Sequence, residues 1–128
     1  MYIDNKRFST HMLRLKENDD VLSSIENFIA TNAFKNVFIL TAIGDLRAVM
    51  LRESADSTIQ FLERNWRILG LFAFSREGKM RIRCLLINDE GQKIAGELLA
   101  GSLVGRTTDI LFGEHKLQPR PVAKPHQS

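Results

Sequence analysis

Residues 66–99 constrain the fold more than any other part of this chain. Three apolar runs, residues 66–74, 80–88 and 93–99, are separated by Arg76-Glu77-Gly78-Lys79 and by Asp89-Glu90-Gly91-Gln92. Each tetrapeptide sets a glycine, free to take positive φ, among polar turn formers, which is a hairpin signal. Runs this short, joined this tightly, fold back on one another as antiparallel strands. Ile68, Leu69, Leu71, Phe72 and Phe74 are expected to supply core from the first of them.

The upstream half adds one helix and further strands. Residues 8–15 read as a strand with Phe8, Thr10, Met12 and Arg14 on one face and Ser9, His11, Leu13 and Leu15 on the other. Neither face is cleanly polar, so burial is expected on part of both. Asn18-Asp19-Asp20 supplies side chains that accept from the free amides of a first helical turn. Val21, Leu22, Ile25, Phe28 and Ile29 then form one apolar stripe at helical spacing, ending near Thr31-Asn32. Residues 36–43 are short, β-branched and aromatic, which predicts a buried central strand. Gly44-Asp45 interrupts it, and residues 46–51 resume as a strand, joined by a tight connection or a bulge. Residues 52–57 read as a loop and 58–63 as a strand. Gly101 breaks the run after residue 99, and Leu103-Val104 and residues 109–112 are the last apolar pieces. The sum is an α+β domain, a mostly antiparallel sheet of about seven strands with one main helix.

All three prolines, Pro119, Pro121 and Pro125, fall beyond Gly113. The expected division is a domain over residues 1–113 and a flexible, proline-containing basic tail over 114–128. No apolar run approaches the ~20 residues that span a bilayer, and no signal peptide is visible, so a cytoplasmic protein without membrane contact is expected. One cysteine, Cys84, excludes an intramolecular disulfide and a multi-cysteine zinc site. It sits between Ile82 and Leu85 and reads as a small buried hydrophobe rather than a nucleophile. None of His11, His115 and His126 has a second ligand at metal-binding spacing, and each reads as solvated or satisfied. Phosphate-binding and nucleophile-elbow signatures are absent, and no cofactor is expected.

The formal charge of +3 is unevenly placed. Residues 1–63 carry 7 basic and 9 acidic side chains, residues 64–128 carry 11 and 6. Arg64, Arg67, Arg76, Lys79, Arg81 and Arg83 form the densest basic stretch, interrupted only by Glu77. Such a stretch is either a solvated strand face or a surface for something anionic.

Taken in order, several segments resemble the plant and prokaryote conserved (PPC) domain. They are residues 13–25, with Asn18-Asp19-Asp20 at the helix start; residues 38–46, ending in Ile43-Gly44-Asp45-Leu46; Trp66-Arg67-Ile68-Leu69-Gly70-Leu71; and residues 88–101, from Asn88-Asp89-Glu90-Gly91 to Gly96 and Gly101. The resemblance implies an α+β fold assembling as a homotrimer. In plants the domain accompanies AT-hook segments that bind A·T-rich DNA. This chain has only Pro119-Arg120-Pro121, without the glycine and second arginine of a hook core. Many bacterial members resemble a metal site built on a His-x-His pair and a third histidine. The matching positions here are Arg81, Arg83 and Glu97. Guanidinium stays protonated and is not a metal ligand, so loss of the metal is expected. Where the family usually shows a glycine, an arginine, an aromatic and a glutamate, this chain reads Arg64-Asn65-Trp66-Arg67.

The expected site is therefore cationic: Arg81, Arg83 and Glu97, joined by Arg67 and Arg64. One expectation is a non-enzymatic homotrimer that binds DNA or a small anionic ligand. Its structural counterpart is a salt bridge from Glu97 to Arg81 or Arg83. The enzymatic alternative uses Glu97 as general acid or base on an anionic substrate at a subunit-interface cleft.

Overall fold

The computed structural model describes residues 8–76 and 79–115. In chain order the elements are β1 (Phe8–Lys16), α1 (Val21–Thr31), β2 (Val37–Arg52), β3 (Gln60–Leu62), β4 (Trp66–Arg76), β5 (Lys79–Asn88), β6 (Lys93–Leu98) and β7 (Leu103–His115). The seven strands form one antiparallel sheet in the order β1-β7-β2-β4-β5-β6, with β3 beside β2. The far edge returns: Leu51 and Arg52 of β2 pair with Leu98 and Glu97 of β6. Strands β2, β4, β5 and β6 therefore close a hydrogen-bonded ring, and the ring interior is the core.

Side-chain alternation fills that interior. Leu51, Leu71, Ile82, Cys84, Leu86 and Leu98 point inward and are buried. The other half of the sheet, β1-β7-β2, is covered on one face by α1. Asp20 caps the helix, accepting from the Ser23 amide at 3.0 Å, and its second oxygen accepts from the Gly101 amide at 2.6 Å. The cap thus ties the helix start to the β6–β7 connection. Val21 and Ile25 are fully buried, and Phe28 packs on Phe112 of β7 with ring centroids 5.6 Å apart. Burying a side chain such as Ile25 contributes about 1.5–3 kcal/mol.

One expectation is narrowed and two need correction. Residues 37–52 form one strand, so of the two junctions expected at Gly44-Asp45 the bulge is the one found, with register shifts at Ile39/Thr41, Gly44/Leu46 and Leu46/Ala48. The glycine is absorbed as an irregularity within the sheet rather than ending it. The first half of β2 is not buried on both faces: Ile43 is 73% exposed, and across β7 Met12 is 58% exposed on the same open face. Finally, Leu69 and Phe72 do not supply core. A bulge between Ile68 and Gly70 shifts the alternation by one, so Phe72 emerges on the outer face, 61% exposed.

β3 is shorter than the strand expected over residues 58–63, and Glu114 and His115 belong to β7. The tip of the β4–β5 hairpin, residues 77–78, and the tail from residue 116 lie outside the described residues, as does His126. Among the described residues, no helix is long and apolar enough to cross a membrane.

Candidate functional site

Strand register, rather than any local motif, assembles the charged cluster. Arg83 of β5 lies directly opposite Glu97 of β6, and Arg52 at the end of β2 lies opposite Glu97 on its other side. Arg81, two residues from Arg83, projects from the same outer face. The approach of β2 to β6 depends on Gly96. A Cβ at this position would sit 2.7 Å from the Arg52 carbonyl oxygen, so any side chain would push the two strands apart.

Glu97 is the hub. Nη1 of Arg81 donates to both carboxylate oxygens, at 3.1 and 2.9 Å, and Nη2 of Arg52 donates to Oε1 at 3.4 Å. The Glu97 side chain is only 17% exposed. The Nε–H groups of Arg52 and Arg81 are buried and have no acceptor among the described residues. Arg83, although opposite Glu97 in register, makes no ion pair among the described residues and is exposed. One carboxylate therefore faces three guanidinium groups.

The remaining sequence-derived candidates are elsewhere. Arg64 pairs with Glu90 in the β5–β6 turn. Arg67 is opposite Ile87, four residues along β5 from Arg83, and is exposed. At ~3.4 Å per residue the separation is about 14 Å. Arg67 thus shares the outer face with the cluster without touching it, and Arg64 is bound to a different acid. Arg52 joins the site although the sequence pattern places it at the start of a loop. Its pairing with Glu97 spans 45 positions, so no local spacing announces it.

A metal ion does not fit these residues. Positions where the resemblance implies histidines hold two arginines and one glutamate, and that glutamate already accepts from two guanidinium groups. Among the described residues no three His, Cys, Asp or Glu side chains converge. His11 instead bonds Glu114 at 3.1 Å and stacks on Phe34 with centroids 4.0 Å apart. Burial pushes the Cys84 thiol up to about 12, against the Gly96 backbone hydrogen bond and the Arg83 charge. This makes Cys84 an inert thiol near neutral pH, not a nucleophile. A cleft of about 290 Å³ lies between α1 and β1, lined by residues including Arg14, Asp19, Asn27 and Phe28. Glu97 does not line it, so it lends nothing to an acid–base role for that carboxylate.

Comparison with known proteins places this geometry in context. The description of the Plants and Prokaryotes Conserved (PCC) domain matches residues 2–116. No curated protein matches the chain by sequence. Among solved structures, a hypothetical protein from Salmonella enterica is similar with a TM-score of 0.79 at 20% identity, covering 91% of this chain and 86% of that one. A plant- and prokaryote-conserved (PPC) protein from Pyrococcus horikoshii is similar at 0.69 and 20% identity, covering 87% and 83%. A Bacteroides thetaiotaomicron protein described as a candidate DNA-binding protein is similar at 0.73 and 11% identity, covering 91% and 85%. At these identities the likeness is one of fold.

Proposed function

The chain belongs to the Plants and Prokaryotes Conserved domain family, and from that premise we propose that it is a non-enzymatic cytoplasmic homotrimer that binds an anionic ligand at the Arg52–Arg81–Arg83–Glu97 cluster. One observation carries the ligand part of this reading. Glu97 is already held by Arg81 and Arg52, which leaves Arg83 beside it as an exposed cation without a partner among the described residues. Guanidinium forks match carboxylate and phosphate oxygens in bidentate geometry.

Assembly is supported by the face of β1-β7-β2 opposite the helix. Met12 and Ile43 are exposed there, as is Leu40, with the Arg14–Asp109 ion pair in the same cross-strand row as Ile43. Exposed apolar clusters rimmed by charge are what a protein surface presents to another protein. The resemblance to the PPC domain gives the number three. Likeness in fold to a Bacteroides thetaiotaomicron protein described as a candidate DNA-binding protein brings nucleic acid into the class of candidate anions.

Isothermal titration of the full chain with inorganic phosphate and with duplex DNA, each at two salt concentrations, tests the ligand. Binding that weakens as salt rises, and that falls in Arg83→Gln, is the expected result. Absence of binding to either at low salt overturns it. Light scattering after size exclusion is expected to give about three times 14.6 kDa, and a monomer would overturn the assembly.

A further inference from the structure

The cluster is one end of a longer pattern on the outer face of β4, β5 and β6. Register sorts that face into rows. Arg67, Ile87 and Lys93 form one row; Gly70, Leu85 and Ala95 form the next; Phe72, Arg83 and Glu97 form the third, with Arg52 continuing it on β2 and Arg81 following on β5. Rows two residues apart are about 7 Å apart. Two cationic rows thus flank an uncharged one, and five cations share the surface with two carboxylates, Glu97 and, opposite Arg67 on β2, Asp45.

Phe72 is placed across this surface, not through it. A Cβ at Gly70 would lie 3.3 Å from both Cε2 and Cζ of the Phe72 ring. The ring therefore leans along the strand over the gap that Gly70 leaves, towards the uncharged row, and remains mostly exposed beside Arg83. The bulge at Ile68/Gly70 is what turns it outward. An exposed aromatic ring is costly to leave in water, and one set between cations has a specific use: it can accept the face of another planar ring while the cations hold the charge that ring carries.

We infer that the anion bound on this face is a single-stranded polynucleotide, its backbone following the cations from Arg83 towards Arg67 and Lys93, with an unstacked base on Phe72. This deepens the anion-binding reading and rests on it. A strand rather than a lone phosphate is favoured by the spread of cations over about 14 Å along β5, far more than one phosphate spans. A single strand rather than a duplex is favoured by Phe72, because duplex bases are stacked internally and present no free face.

Fluorescence anisotropy of the full chain with labelled oligothymidine of about 12 nucleotides tests this, beside a duplex of the same length. The single strand is expected to bind more tightly. Its log affinity should fall against log salt with a slope of about −2, some 0.7 for each of three phosphate contacts. Phe72→Leu keeps the apolar volume and removes the ring; it should weaken oligothymidine binding about 5- to 50-fold with the salt slope unchanged. Arg83→Gln should lower the slope by about 0.7. Phe72→Tyr should bind as the native chain does. Equal or tighter duplex binding, or unchanged oligothymidine affinity in Phe72→Leu, overturns the inference. Inorganic phosphate binding at Arg83 without oligothymidine binding sinks this inference and leaves the anion reading standing, whereas failure of both ligands sinks the two together.

Discussion

Strand β5 presents two unlike faces to two unlike environments. Ile82, Cys84 and Leu86 alternate inward and are at most 3% exposed. Arg81, Arg83 and Leu85 alternate outward and retain contact with solvent. Both sets occupy the same backbone, with the same hydrogen bonds to β4 and β6. What differs is the degree of commitment: the inner set is fixed by close packing in the ring, while the outer set carries charge that the fold itself only partly neutralises. The inner face explains why the protein folds, and the outer face is where it has chemistry to offer.

This contrast predicts a descending series of effects. Leu86→Ala removes a fully buried inner side chain and should cost about 2–5 kcal/mol in denaturant unfolding, the transfer and cavity terms adding. A loss near zero would mean that the ring interior is not the core. Cys84 gives the inner face a pH signature. Its thiol is held up at about 12 from an ordinary 9.0, so the folded protein keeps a proton that the unfolded chain releases. Stability from this source is fully present below roughly pH 9 and declines as pH rises towards 12. Unfolding of the native chain and of Cys84→Ala at several alkaline pH values should show the decline flattened in the variant, and equal slopes would contradict the burial.

The next effect crosses from inside to outside. Glu97→Gln keeps the shape and removes the charge that Arg81 and Arg52 share. The pair is half-buried, so the loss should fall between that of an exposed and of a buried ion pair, about 1–3 kcal/mol by thermal unfolding. An unchanged midpoint would remove the structural role of the bridge. At the weakest end, the exposed Arg14–Asp109 pair should matter for titration alone. The hydrogen bond from Arg14 holds the Asp109 carboxyl below its usual range. In Arg14→Gln that carboxyl should return upward in an NMR titration while the unfolding midpoint near neutral pH stays in place. Its small contribution is present above the ordinary carboxylate pKa and fades as pH falls through the depressed one.

Local chemistry made much of the fold legible in the sequence. The cap at Asp20, the apolar stripe through Val21 and Ile25, and the turn at Gly91, which takes φ of 82°, are all decided within a few residues of one another. The Gly44-Asp45 break marks one bulge, but the bulge at Ile68/Gly70 has no such polar signal. A bulge inserts one residue and reverses every later inside–outside assignment on the strand, which is why apolar pattern alone places Phe72 in the core. The site was legible only in part. Arg81 and Arg83 share a face by simple alternation, but ring closure at Gly96 brings Arg52 in from β2, and Arg64 is drawn away by Glu90. Long-range closure is a property of the whole sheet, and no window of sequence contains it.

The central claim is that Arg83 is a cation left uncompensated by the fold while Arg52 and Arg81 are spent on Glu97. NMR of the arginine Nε–Hε groups at low salt, with inorganic phosphate added stepwise, tests it most directly. The Arg83 signal should move saturably with added phosphate and revert when salt is raised, while those of Arg52 and Arg81 move far less. An Arg83 signal that stays fixed as phosphate is added, or that moves no more than theirs, would contradict the account.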